Sequence, residues 1–186
     1  MDPLDKEAYD ARQILYEYFD TIMSGANSDD WEHEEDWIAW DHENQRMDVF
    51  MGEVTVKKEF PNGQWPIRFG EVAGGFTLDG SGANNLSGSP HTTGAWFECS
   101  REENLNSLEG MPTKVYGWIE LPYRSDLGLL RLCLVEGASR IRLYKKDPDH
   151  RDLAVLRNIV NRYKGTGKGA LSAFATELIK AGYRGN

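Results

Sequence analysis

The sequence predicts an α/β fold: a short leucine-rich-repeat solenoid with a parallel sheet and helical caps at both ends. Three observations carry the prediction. Apolar-x-apolar triplets recur at Val54/Val56, Phe76/Leu78, Phe97/Cys99, Ile119/Leu121 and Ile141/Leu143, at steps of 22, 21, 22 and 22 residues. Loop positions keep the same time: Leu86 and Leu108, Gly88 and Gly110, and Pro90 and Pro112 each stand 22 apart. Apolar residues at helical spacing flank this array on either side. A unit of this size cannot bury its own apolar face, but stacked units bury one continuous core. Strand alternation then turns the outer two residues of each triplet inward and the middle one outward.

The elements follow in order. Residues 1–46 read as an acidic helical N-terminal cap. Leu4, Ala8, Ala11, Leu15, Tyr18 and Ile22 predict an amphipathic helix over 3–24, closed by Gly25, that covers the exposed edge of the array. Ser28 or Asp29 is expected to cap a short second helix carrying Trp37, Ile38 and Trp40. Residues 47–146 form the repeat array. Residues 147–186 are a helical C-terminal cap. Its first helix opens at Asp147-Pro148-Asp149 and runs to about Tyr163, with Leu153, Leu156, Ile159 and Val160 inward; a turn spans Gly165 to Gly169, and a final helix carries Leu171, Phe174, Leu178 and Ile179.

Composition bounds the function. In 186 residues there is no apolar run long enough to span a bilayer, and the N-terminus lacks the basic-then-apolar order of a secretion signal. Two cysteines, Cys99 and Cys133, are too few for a disulfide framework or a zinc cage, and a reducing cytosol is the expected compartment. The net charge of −9 is uneven: −12 over residues 1–60, −2 over 61–144 and +5 over 145–186. Eight acids fall in the fifteen residues from Asp29 to Glu43, namely Asp29, Asp30, Glu32, Glu34, Glu35, Asp36, Asp41 and Glu43, with Trp31, Trp37 and Trp40 among them and no Lys or Arg.

Few motifs suggest chemistry. "KGTGKGA", Lys164 to Ala170, is no Walker loop, because Gly169 follows Lys168 and a helix precedes the glycines. A weak anion site at the following helix start, helped by Lys164 and Lys168, is the better reading. His33, Glu34, Glu35, Asp36, Asp41 and His42 are ligand types without the HExxH pattern or a cage spacing, so a solvated acidic face is expected and no metal. Cys99 and Cys133 read as packed core thiols, His91 and His150 are isolated, and no nucleophilic triad is legible.

The outward strand residues fall into three columns: Thr55, Thr77, Glu98, Glu120 and Arg142 in the middle; Glu53, Gly75, Trp96, Trp118 and Arg140 on one flank; Lys57, Asp79, Ser100, Pro122 and Tyr144 on the other. Rungs stack about 4.8 Å apart, so Trp96 and Trp118 are expected as neighbours. They form either a platform for a partner or a surface that the N-terminal segment covers. Aromatics beside arginine are typical interface anchors.

The stretch "FECSREENLNSLEGMPTKVYG", Phe97 to Gly117, resembles the short leucine-rich repeats of many uncharacterised tailed-bacteriophage proteins. Their units run as a phenylalanine, a Cys-Ser pair, an asparagine, a leucine pair, "LEG", a proline and a valine-glycine, and the array often ends in a helical tail like "NRYKGTGKGALSAFATELIKAGY". The resemblance covers about residues 70–183; this chain departs from the pattern at Glu102, where the asparagine ladder would fall, and by an extra residue before Leu105. It implies a phage origin and a solenoid fold, and no activity. The function expected is therefore a non-enzymatic phage protein that inhibits a host nucleic-acid-handling defence complex of the CRISPR or restriction type, in the cytoplasm of the infected bacterium. Its binding residues would be Asp29, Asp30, Trp31, Glu32, Glu34, Glu35, Asp36, Trp96, Glu98, Trp118, Glu120, Arg140 and Arg142. The partner would be a host protein with a basic nucleic-acid groove, met by carboxylates standing where phosphates lie. No cofactor, membrane or direct nucleic-acid contact is expected. The alternatives are a metal-dependent hydrolase built on His33–Glu43 and a virion or assembly component.

Overall fold

A computed structural model describes residues 2–22, 37–124, 127–144 and 150–184, the side chains of 150–152 excepted. It is α/β, a parallel β-solenoid of about four turns between helical ends. Helix α1 (Pro3–Tyr18) leads into β1 (Phe19–Ile22). The array holds β2 (Ile38–Asp41), β3 (Arg46–Val49), β4 (Glu53–Val56), β5 (Phe69–Val72), β6 (Phe76–Thr77), β7 (Thr92–Thr93), β8 (Phe97–Glu98), β9 (Lys114–Val115), β10 (Trp118–Pro122) and β11 (Arg140–Tyr144). Helices α2 (His150–Tyr163) and α3 (Leu171–Lys180) close the chain.

Two sheets wall the solenoid. The larger has the order β1-β4-β6-β8-β10-β11, the smaller β2-β3-β5-β7-β9. The five triplets form the parallel strands of the larger sheet, with Val54 beside Phe76, Phe76 beside Phe97, Phe97 beside Ile119 and Ile119 beside Ile141. All ten triplet residues are buried, Val56 being the most accessible at 8%. The stacked rings of Phe76 and Phe97, 6.1 Å apart, show the register inside the core.

The smaller sheet was not foreseen. Its strands β7 and β9 are two residues long, Thr93 takes an inward place where an apolar residue would have marked the repeat, and the register shifts between β3 and β5. Tight corners join the two sheets within each turn. At one corner a Cβ added to Gly94 would lie 1.8 Å from the Ala73 carbonyl oxygen of the preceding turn, so only glycine lets the backbones stack there.

The N-terminal cap differs from expectation in two places. The helix ends at Tyr18, and Phe19–Ile22 pairs antiparallel with β4, Phe19 opposite Val56 and Ile22 opposite Glu53. Ring packing decides this: Phe19 is buried against Phe60, Phe69 and Phe76, which an extended backbone permits and another helical turn would not. The edge of β4 is thus covered by a strand rather than by a helix. The segment around Trp37, Ile38 and Trp40 is also no helix. Ile38–Asp41 is β2, in a hairpin with β3, and the Asp41 carboxylate accepts from the Glu43 and Asn44 N–H groups in the turn. Residues 23–36, where the first helix's end and the second helix's cap were expected, lie outside the described residues.

The C-terminal cap follows the sequence reading closely. Leu153, Leu156, Ile159 and Val160 of α2 are buried, as are Phe174 and Leu178 of α3; Ile179 is exposed instead, at 69%. Residues 147–149 are not described. Polar side chains of α2 take the place of a further strand along β11. Asn161 bonds both the N–H and the C=O of Ile141, and Arg157 donates to the Leu143 carbonyl through Nε and Nη2. Cys133 is buried in the 3-10 segment Leu129–Leu134.

Candidate functional site on the outer face of the larger sheet

The outward residues of β6, β8, β10 and β11 share one face because parallel pairing keeps Thr77, Glu98, Glu120 and Arg142 in line. Beside this line the indoles of Trp96 and Trp118 stack at 5.0 Å with planes 13° apart. Beneath Trp96 is Gly75, where an added Cβ would lie 2.1 Å from the ring. The Trp96 Nε1 donates to Thr77 Oγ1 at 3.1 Å. On the far side of Trp118 the Arg142 guanidinium sits 5.9 Å from the ring centroid and 3.4 Å from Glu120 Oε2. The two rings are thus covered on their faces by glycine, each other and arginine, and they are half-buried. What remains open is the edge of the stack, a surface suited to apolar contact rather than to insertion of a flat ligand.

Next to the stack runs an acidic row of Asp79, Glu98 and Glu120. Partial burial, then the charges of Asp79 and Glu120, hold the Glu98 carboxyl above its ordinary range. Ser100 Oγ lies 3.4 Å from Asp79 Oδ2 and 3.3 Å from Glu98 Oε1, and the Arg101 N–H donates to Asp79 Oδ1 at 2.9 Å. The third outward column does not hold along its length: Ser100 and Pro122 are buried where the chain curls in after the strand, while Tyr144 stays exposed at 41%.

Glu102 occupies the ladder position of its turn and is buried, 1% exposed. Its carboxylate accepts from the Ser81 N–H at 2.8 Å, bonding to the preceding turn. One turn later Arg124 reaches back in the opposite sense, donating to the Glu103 and Leu105 carbonyls. Burial raises the Glu102 carboxyl. Burial also raises the Cys99 thiol well above the ordinary range, which leaves it an inert core group.

Of the residues expected to bind a partner, Trp96, Glu98, Trp118, Glu120 and Arg142 lie together, with exposed Arg140 at one end. Asp29, Asp30, Trp31, Glu32, Glu34, Glu35 and Asp36 lie outside the described residues, as does the segment that could cover the tryptophans. Asp41 and His42 are engaged structurally: Asp41 with Asn44 and Arg46, His42 Nδ1 with Glu7 at 3.1 Å. No group of three or more potential ligands stands ready for a metal among the described residues. Among them, too, no helix is long and apolar enough to cross a membrane. The glycine loop reads differently in place. The Gly165 and Gly167 N–H groups donate to the Leu132 and Cys133 carbonyls, so they pin the C-terminal helices to the last turn and are not available as an anion cradle.

The sequence reading passed over α2 as a contributor to this face. Arg157 and Asn161 are four residues apart, hence on one helix side, and that polar pair flanking the apolar stripe was the available signal. With Glu120, Arg140, Arg142, Tyr144 and Asn158 they line a cavity of about 400 Å³ where β11 meets α2. Comparison with protein-family models, with curated proteins and with solved structures finds no match for this chain. Among the described residues the arrangement offers aromatic contact and charge of both signs.

Proposed function

We propose that this protein is a non-enzymatic, phage-encoded binding protein that inhibits a host nucleic-acid-handling defence complex, acting in the cytoplasm of the infected bacterium. The observation that carries the binding reading is the Trp96–Trp118 stack on an outer sheet face, flanked by Arg142 and by the acidic row. A solenoid sheet is a rigid display surface, and aromatic residues with arginine are favoured anchors at interfaces. The target class rests on the sequence: eight acids between Asp29 and Glu43, interleaved with tryptophans, suit a basic and partly apolar groove. The phage origin rests on the repeat resemblance.

The test is affinity capture from bacterial lysate followed by identification and titration of the captured protein. Trp96→Ala and Trp118→Ala are expected to fold as the parent does and each to lose about 2 kcal/mol of binding. Replacing Asp29, Asp30, Glu34 and Glu35 by their amides is expected to weaken binding and flatten its salt dependence, and DNA or RNA is expected to compete. If all three variants bind as the parent does and nucleic acid fails to compete, the proposal falls.

A further inference from the structure

The cavity between β11 and α2 is rich in donors. Arg140, Arg142 and Arg157 line it against one carboxylate, Glu120, an excess of two positive charges. Arg157 spends Nε and Nη2 on the Leu143 carbonyl. Arg142 is shared between Glu120 at 3.4 Å and the Trp118 ring, and Arg140 is exposed with no ion pair among the described residues. Asn158 and the Tyr144 ring complete the wall. Neighbouring outward positions of β11 thus place two guanidiniums, each a planar fork matched to a carboxylate, at the rim of a cleft wide enough for a side chain.

We infer that this cleft receives an acidic side chain of a protein partner, held between Arg140 and Arg142 while its chain lies along the edge of the tryptophan stack. The inference rests on the reading of this face as a protein-binding surface and adds its anchoring chemistry. Three observations favour a single carboxylate over a nucleic acid. The chain carries a net charge of −9, which repels a polyanion, and Glu120 stands within the cleft, leaving room in charge for one compact anion. The tryptophan faces are already covered, so bases have no open ring on which to stack.

The test uses the full chain and needs no knowledge of the natural partner. A short blocked peptide carrying Glu, its Gln counterpart, inorganic phosphate and a short oligodeoxythymidylate are each titrated while the arginine Nε–H resonances are followed. The Glu peptide is expected to shift the Arg140 and Arg142 signals and the Gln peptide to leave them in place. Arg140→Gln with Arg142→Gln is expected to weaken the Glu peptide about tenfold, the loss of a charge-assisted pair, with an unchanged thermal midpoint. An unmoved spectrum, equal affinity in the double variant, or binding of phosphate or oligonucleotide without the peptide overturns the inference. A mass that rises with concentration and falls back in the double variant assigns the cleft to a second copy and overturns it as well. These outcomes are independent of whether Trp96→Ala and Trp118→Ala lose a captured partner.

Discussion

The carboxamide of Asn161 holds the main chain of Ile141 from both sides, accepting its N–H at 2.8 Å and donating to its C=O at 2.7 Å. A neighbouring strand would make the same pair of contacts, so one side chain substitutes for the missing next turn. The last strand of a solenoid otherwise presents open donors and acceptors to other chains. Asn161→Ala is expected to lower unfolding free energy by about 1–3 kcal/mol, since both main-chain groups lose their partner. Chemical denaturation measures this, and size-exclusion chromatography should show more self-association than the parent. An unchanged midpoint with a monomeric profile refutes the capping role.

Ile119 is fully buried in β10 of the larger sheet, between Phe97 and Ile141. Truncation to alanine leaves a cavity that flanking turns cannot close without breaking register. Ile119→Ala is expected to cost about 2–5 kcal/mol in equilibrium unfolding. Val155→Ala, at an exposed position of α2, is the matched control and should change stability little.

Glu102 supplies a pH dependence whose sign is fixed by its environment. Burial raises its carboxyl in the folded protein, so the folded state binds the proton more tightly than the unfolded chain does. The contribution of Glu102 to stability is therefore full below the unfolded carboxylate range and is lost as pH rises through the raised folded value. Glu102→Gln keeps an acceptor for the Ser81 N–H and removes the charge. The variant is expected to melt at a higher temperature than the parent at neutral pH, with the difference shrinking on acidification to the ordinary glutamate range. A lower melting temperature at neutral pH would show that the charged carboxylate is worth more to the turn than its burial costs.

Gly94 and Gly169 form a contrasting pair. A methyl at Gly94 meets the Ala73 carbonyl of the neighbouring turn, whereas one at Gly169 meets nothing within 4 Å. Gly94→Ala is expected to destabilise by about 1–3 kcal/mol through forced backbone displacement. Gly169→Ala, in a helical turn, is expected to be neutral or stabilising by a few tenths of a kcal/mol. Thermal melts of both variants check the pair, and equal midpoints would mean that the corner is looser than its stacking implies.

Much of this architecture is legible in one dimension because a solenoid is nearly one-dimensional: each turn packs on its neighbours, so the period in sequence is the period in space. The triplets from Val54/Val56 to Ile141/Leu143, the inward face of α2 and the adjacency of Trp96 and Trp118 all follow from spacing alone. Where packing partners come from outside the period, spacing has no purchase. Phe19 leaves the helix because Phe60, Phe69 and Phe76, far along the chain, offer its ring a buried place. Ile38–Asp41 is a strand because β3 is there to pair with it. In the second sheet β7 and β9 are only two residues long, too short to carry a pattern, and are held by the turns beside them. The same division runs through the candidate site. Sequence alone determined that Thr77, Glu98, Glu120 and Arg142 share the outer face of the sheet, since parallel register sets it. Tertiary structure alone decided that the tryptophan faces are covered and that Arg140, Arg142 and Arg157 line one cleft, because those arrangements join side chains of separate elements and no local repeat encodes them.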